Sequence, residues 1–110
     1  MQIDNIVITD HGEKRFSERT GLPKRLVTKK AQEALKNGIT HAEATGYLRK
    51  YFDKLFMQYG SANNVRVYNN DVYVFCGATL VTVFPLPQSL RKTAAKICTR
   101  KQKARGNEDV

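Results

Sequence analysis

The stretch VRVYNNDVYVFCGATLVTVFP, residues 65–85, repeats with a period of two, and that alternation decides the fold. It reads as three antiparallel strands joined by tight turns, because Val, Tyr and Phe favour a pleated, half-buried surface. Asn70–Asp71 reads as one two-residue turn, and Gly77–Ala78 as another with glycine in the special position. Those turns set a register in which Tyr68 faces Tyr73, which faces Thr82, while Arg66 faces Phe75, which faces Leu80. Directly opposed residues share a face. One face then holds Val65, Val67, Val72, Val74, Cys76, Val81 and Val83, a surface for packing helices. The other holds Arg66, Tyr68, Tyr73, Phe75, Leu80, Thr82 and Phe84. A purely solvated face would carry Lys, Glu and Ser instead, so this aromatic face is the expected working surface.

Upstream the period is helical. In ITDHGEKRFSERTG, residues 8–21, Asp10 and Glu13 form a capping-box-like start, and Gly21 and Pro23 form a stop. The spacing predicts a helix over 11–20, preceded by a short β-prone entry at Ile6 to Ile8. Pro23 suits the first turn of a second helix, with Val27, Ala31, Ala34 and Leu35 as its apolar stripe and Asn37–Gly38 as its end. Thr40 and Glu43 make a second capping box for a third helix, where Leu48, Tyr51, Phe52, Leu55 and Phe56 recur at core spacing. Gly60 to Asn64 reads as a loop. Leu90, Ala94 and Ile97 outline a weaker helix, after which KQKARGNEDV loses its apolar pattern and is expected to fray. The expected fold is α+β, with the N-terminal helices packed on the valine face of a small antiparallel sheet of three to four strands. Residues 1–87 would form the domain, and residues 88–110 a basic C-terminal helix and tail.

A chain of 110 residues can bury a core without staples. It is 41% hydrophobic and 26% charged, the proportions of an ordinary globular protein. It has no run of about 18 apolar residues that would span a membrane. Its start lacks the basic and apolar regions of a signal peptide. Two cysteines cannot build a disulfide framework, and no His/Cys cluster has metal-ligand spacing. A reduced, cytoplasmic protein with no metal or other cofactor is expected. The charge is the strong global signal. Nineteen Lys and Arg against ten Asp and Glu give +9, with a pI near 9.8. That is the electrostatic footprint of a nucleic-acid binder. Part of it lies in LRKTAAKICTRKQKARG, which carries seven basic residues and no acid.

RNA cleavage without a metal needs a general base, a general acid and cations for the crowded phosphate. His11, Arg15 and Arg19 are four apart, with Glu18 three after Arg15, so a helix aligns them roughly on one face. Histidine suits the proton transfers, and arginine presents a fixed fork of donors to phosphate. Tyr and Thr hydroxyls orient phosphate, and a tyrosine ring stacks an unpaired base. His11, Arg15 and Arg19 with Arg66, Tyr68, Tyr73 and Thr82 would supply each part. The bland readings are a solvated histidine, a routine pair between Glu18 and an arginine worth about 0.3–0.5 kcal/mol, and tyrosines covered by the C-terminal segment. His41, inside the Thr40–Glu43 cap, is more readily structural.

The segments ITDHGEKRFSERTGLP and ANNVRVYNNDVYVFCGATLVTVFPLP resemble the opening helix and the sheet of small bacterial and phage members of the barnase–EndoU–colicin–RelE group of metal-independent ribonucleases. The resemblance covers about 8–23 and 65–86, and its motifs are short. It implies a toxin-type RNA endonuclease that works by 2′-hydroxyl attack and leaves a 2′,3′-cyclic phosphate. It also implies His11 as acid/base, Arg15 and Arg19 on phosphate, Thr82 as the polar residue of the last strand and Glu18 as an orienter of arginine. Its partners would be tRNA, mRNA or ribosome-associated RNA, and an acidic antitoxin or immunity protein drawn to the +9 surface. Two other readings stand beside it. One is a non-catalytic RNA- or ribosome-binding domain, and the other is a mobile-element protein that blocks a host protein.

Overall fold

The valine alternation does form a sheet, but helices cover both of its faces. The computed structural model describes residues 7–60 and 63–108. In chain order these are β1 (Val7–Ile8), α1 (Asp10–Thr20), α2 (Lys24–Asn37), α3 (Gly46–Gln58), β2 (Asn64–Tyr68), β3 (Asp71–Cys76), β4 (Thr79–Pro85), a single 3-10 turn (Gln88–Leu90) and α4 (Arg91–Glu108). The fold is α+β. The strands lie in the order β1-β4-β3-β2, with β1 parallel to β4 and the other neighbours antiparallel. The expectations for Ile6, for part of the 60–64 loop and for the last two residues fall outside the described residues.

Both hairpins form, with two corrections to the register. The first turn is Asn69–Asn70, one residue earlier than the sequence suggests. Both asparagines take positive φ, 50° and 64°, which matches the right-handed twist of the flanking strands. Asp71 thereby enters β3, and Arg66 opposes Tyr73 instead of Phe75. Because this slip is by two, no side chain changes face. The second turn, Gly77–Ala78, is as expected, with Gly77 at φ 61°. Beyond Leu80, however, β4 carries a bulge, and Thr82 opposes Val74 instead of Tyr73. A bulge inserts one residue and reverses the alternation behind it. Thr82 and Phe84 therefore lie on the valine face, and Val83 on the aromatic one. Phe84 stacks on Tyr59, just past the end of α3, with ring centroids 6.4 Å apart.

The sheet thus separates two cores. Against the valine face, Leu48, Phe52 and Leu55 of α3 and Leu90, Ala94 and Ile97 of the C-terminal segment meet Val65, Val67, Val72 and Val74. Against the aromatic face, Phe16 of α1 and Val27, Ala31 and Ala34 of α2 meet Tyr73, Phe75, Leu80 and Val83. Of the three helices ahead of the sheet, α3 packs on the valine face as expected, joined there by α4. The other two, α1 and α2, cover the aromatic face instead. Each fully buried side chain of this size contributes about 1.5–3 kcal/mol, so a face with Tyr73 and Phe75 at its centre demands a cover. The apolar stripe of α2 supplies it.

Local signals set most helix boundaries. The cap of α1 is Thr9, one residue before the expected start, and its hydroxyl accepts from the Gly12 N–H at 2.9 Å. The same hydroxyl donates to the Leu80 carbonyl at 3.1 Å, beside the bulge. The Thr40–Glu43 box forms, with the Thr40 N–H donating to Glu43 Oε1 at 2.9 Å, but it closes only a turn. The helix begins later, at Gly46, whose φ of 57° redirects the chain. The backbone of α4 stays helical through Glu108, beyond the point of expected fraying. Lys, Gln, Arg and Ala are strong helix formers and need no apolar stripe there. Among the described residues no helix is long and apolar enough to cross a membrane.

Gly12 is where α1 comes closest to the sheet. A Cβ built there would lie 2.7 Å from the Leu80 carbonyl oxygen, a backbone atom that cannot swing aside. Gly12→Ala is therefore expected to lower stability by about 1–3 kcal/mol despite alanine's better helix propensity. Urea unfolding followed by circular dichroism checks it, and an unchanged midpoint would contradict this packing.

Candidate functional site

The α1 stripe does not act as one unit. His11 and Arg15 are exposed on the outer side of the helix. Arg15 Nη1 lies 3.9 Å from Glu18 Oε1, with both side chains more than half exposed, so the pair is a solvated one. Arg19 turns inward at the other end, and its Nε donates to Asp71 Oδ1 at 2.9 Å. Eight residues of helix, about 12 Å of rise, separate His11 from Arg19.

The sheet candidates are occupied structurally. Arg66 Nε donates to the Leu35 carbonyl at 3.3 Å, and its Nη1 to the Val65 carbonyl at 3.2 Å. Burial lowers its pKa, and Glu43 opposes that shift. The guanidinium joins the end of α2 to the outer edge of β2. Tyr68 donates its hydroxyl to Glu33 Oε1 at 3.3 Å, and burial, then Glu33, pushes its pKa up. Tyr73 is 3% exposed, stacked on Phe75 at 6.4 Å and tilted against Phe16 at 6.1 Å. Burial raises its hydroxyl far above the usual range. Thr82 is buried on the opposite face of the sheet. Arg66, Tyr68 and Tyr73 therefore share the face beneath α1 and α2. Thr82 lies behind them, and His11 and Arg15 point outward. The aromatic face is an interior layer, and its cover is α1 and α2, not the C-terminal segment.

Three interactions had no signal in the sequence. Asp71, expected in a turn, is buried and receives Arg19; burial raises its carboxyl, while Arg19 and then Arg91 oppose the shift. His41 Nε2 is 2.7 Å from Asp53 Oδ1, and its ring meets the edge of Phe56 at 5.7 Å, which ties the 40–45 loop to α3. Lys101 Nζ donates to the Asn37 and Gly38 carbonyls at 3.2 and 3.0 Å and to Glu43 Oε1 at 2.9 Å, capping α2 from α4. Burial alone would raise the Glu43 carboxyl, but the Thr40 N–H and the Lys101 ammonium bring it below the usual carboxylate value.

A row of exposed cations lies on the other side of the sheet, on α4. Lys92, Lys96 and Arg100 recur every four residues on the outer face of α4, opposite buried Ala94 and Ile97, and all three are exposed. None forms an ion pair among the described residues. The chain has no Asp or Glu between Asp71 and Glu108, so nothing local neutralises them. Beside the start of α4 lies a shallow cleft of about 460 Å³, with Lys50 and Lys54 of α3 on one side and Ser89 on the other. The acid-free segment is legible in the sequence. The contribution of α3 is not, because it depends on α3 and α4 sharing one face of the sheet. Among the described residues, no group of three or more His, Cys, Asp and Glu could hold a metal ion.

The chain matches no family model, no curated protein and no solved structure.

The Asp71 pair predicts a pH-dependent defect. The folded protein holds the Asp71 proton more tightly than the unfolded chain, whose carboxyl titrates near 3.8. That contribution to stability is fully present below 3.8 and is lost as pH rises through the higher folded value. Arg19 limits the loss by pairing with the carboxylate. Arg19→Ala is expected to cost about 1–2 kcal/mol at pH 7. The deficit should shrink as pH falls toward and below about 4, where Asp71 is neutral. Urea titrations of both proteins across that range measure it, and a deficit independent of pH would show that the pairing is not its origin.

Proposed function

We propose that this protein is a non-catalytic RNA-binding domain that grips the phosphate backbone with the outer face of α4. The observation that carries the reading is the row Lys92, Lys96 and Arg100: exposed, unpaired among the described residues, at helical spacing, and in a segment without acids. Most charge runs are solvated faces. This one differs in having a single sign and in concentrating part of a +9 charge on one side. Each phosphate that meets such a cation releases condensed counterions, so the affinity is entropic and salt-dependent. The two thiols, Cys76 and Cys98, are free and exposed, which suits the reducing cytoplasm where RNA and ribosomes are found.

Binding accounts for the molecule better than cleavage does. Cleavage by 2′-hydroxyl attack requires acid, base and phosphate ligands within about 3 Å of the reacting atoms. Here His11 and Arg15 stand on the outer surface of α1, Thr82 is buried on the far face of the sheet, and Tyr73 is buried in the layer between. The likeness to the ribonuclease group is then one of helix and strand pattern, with the binding surface located elsewhere.

Fluorescence anisotropy on a labelled RNA oligonucleotide, with EDTA present, tests this. The wild type is expected to bind with log affinity falling linearly against log salt, by about 0.7 for each phosphate contacted on a single strand. The combined change Lys92→Glu, Lys96→Glu and Arg100→Glu should lower affinity at least about tenfold at about 0.1 M salt and flatten that slope. His11→Ala and Arg15→Ala should change it little, and the RNA should stay intact. Fragments ending in cyclic phosphate, absent with His11→Ala, would restore the nuclease reading. Wild-type protein that ignores RNA but captures an acidic protein would replace RNA with a protein partner.

A further inference from the structure

We propose that the cleft between α3 and the 88–90 turn is a stacking site for an unpaired nucleobase, so that the ligand is a single strand rather than a duplex. The inference rests on the α4 reading above and adds the class of nucleic acid.

On α3, Tyr47, Lys50, Tyr51 and Lys54 fall at i, i+3, i+4 and i+7 and share one face. The opposite face sends Leu48, Phe52 and Leu55 into the core. Tyr47 is 78% exposed, although a ring of that size normally gains from burial. Lys50 Nζ lies 5.4 Å from the centre of the Tyr47 ring, within cation–π range. Pro87, Ser89 and Leu90 complete the cleft. Its walls are therefore apolar or aromatic, with two lysine ammonium groups, the hydroxyls of Ser89 and of the two tyrosines, and no carboxylate.

That combination fits a ligand with a flat apolar ring attached to an anion. An acidic peptide would use the lysines and waste the apolar walls, and a lone phosphate would not need Tyr47. A nucleotide uses both, with its base on the tyrosine and its phosphates on Lys50 and Lys54. The strand then has a path onward. Ser89, Lys92, Lys96 and Arg100 are spaced by three, four and four, so they run from the cleft along α4 for about 16 Å. Aromatic platforms joined to a cationic track are the means by which proteins hold single strands without reading sequence. A duplex keeps its bases paired and stacked, so it would meet the cations alone.

The chain contains no tryptophan, so Tyr47→Trp places a sole indole reporter at the site. The probes are a short single-stranded oligoadenylate, the deoxy version of the same strand, and an RNA duplex of equal length. The full chain is used throughout. The single-stranded RNA is expected to quench the emission of the introduced indole and to bind more tightly than the duplex. Tyr47→Phe should retain that affinity. Tyr47→Leu should lower single-strand affinity roughly tenfold while leaving duplex affinity unchanged, because base stacking contributes on that scale. A matching effect on the deoxy strand would show that the base carries the contact, whereas an effect confined to RNA would add the 2′-hydroxyl to the recognised chemistry. Equal affinity for strand and duplex, with Tyr47→Leu silent, would overturn the stacking site and leave the α4 reading intact. Failure of the wild type to bind any of the three would overturn both.

Discussion

The hydroxyl of Thr9 joins three parts of this fold that no local rule connects. It caps α1 by accepting from the Gly12 N–H, and it donates to the Leu80 carbonyl where β4 departs from regular pairing. The adjacent Thr9 N–H donates to the same carbonyl at 3.2 Å and continues the parallel β1–β4 contact. The helix can sit this low only because Gly12 has no side chain. The bulge turns Thr82 and Phe84 toward the valine-face core and Val83 toward the aromatic-face core. The contact at the start of α1 and the change of face along β4 thus lie side by side, at Leu80.

The charged residues of the sheet act within this frame as seals. A strand at a sheet edge offers unpaired backbone groups to other chains. On β2 those groups are engaged. Ile39 exchanges two backbone bonds with Val67, at 2.8 and 3.2 Å, and the Arg66 guanidinium covers the Val65 carbonyl. Arg19 does comparable work at the other end of the hairpin, where Asp71 is drawn into a strand by the Asn69–Asn70 turn and needs a partner. Residues that resemble phosphate ligands by type are therefore committed to carbonyls and a buried carboxylate. Two cations of α4 are committed in the same way, Arg91 to the Leu86 carbonyl and Lys101 to the end of α2 and Glu43. Lys92, Lys96 and Arg100 on its outer face instead form no ion pair among the described residues, and this difference underlies the choice of binding surface.

The element pattern was largely legible in the sequence. Period-two alternation marked β2 to β4, and apolar stripes marked α2 and α3, because burying one face of each element demands those spacings. The capping and turn residues set boundaries to within one residue at Thr9 and at Asn69–Asn70, and less well at Thr40, whose box closes a turn and not a helix. The α4 cations were legible too, as an acid-free run. The layer order was not. Valine and aromatic faces are both apolar enough to attract helices, and nothing local says which helix reaches which face.

By itself, then, the sequence determined the class of fold, the strands and helices, and the excess of positive charge, since each follows from composition or from contacts only a few residues apart. Tertiary structure alone decided the bulge after Leu80, the burial of Tyr73, the removal of Thr82 from that face and the pairing of Arg19 with Asp71. It also decided the meeting of α3 and the start of α4 around the Tyr47 cleft. Each of these depends on residues far apart in the chain, whose proximity is set by the packing of two cores against one sheet. Residue type tells what a side chain could bind, and packing determines which side chains remain free to bind it.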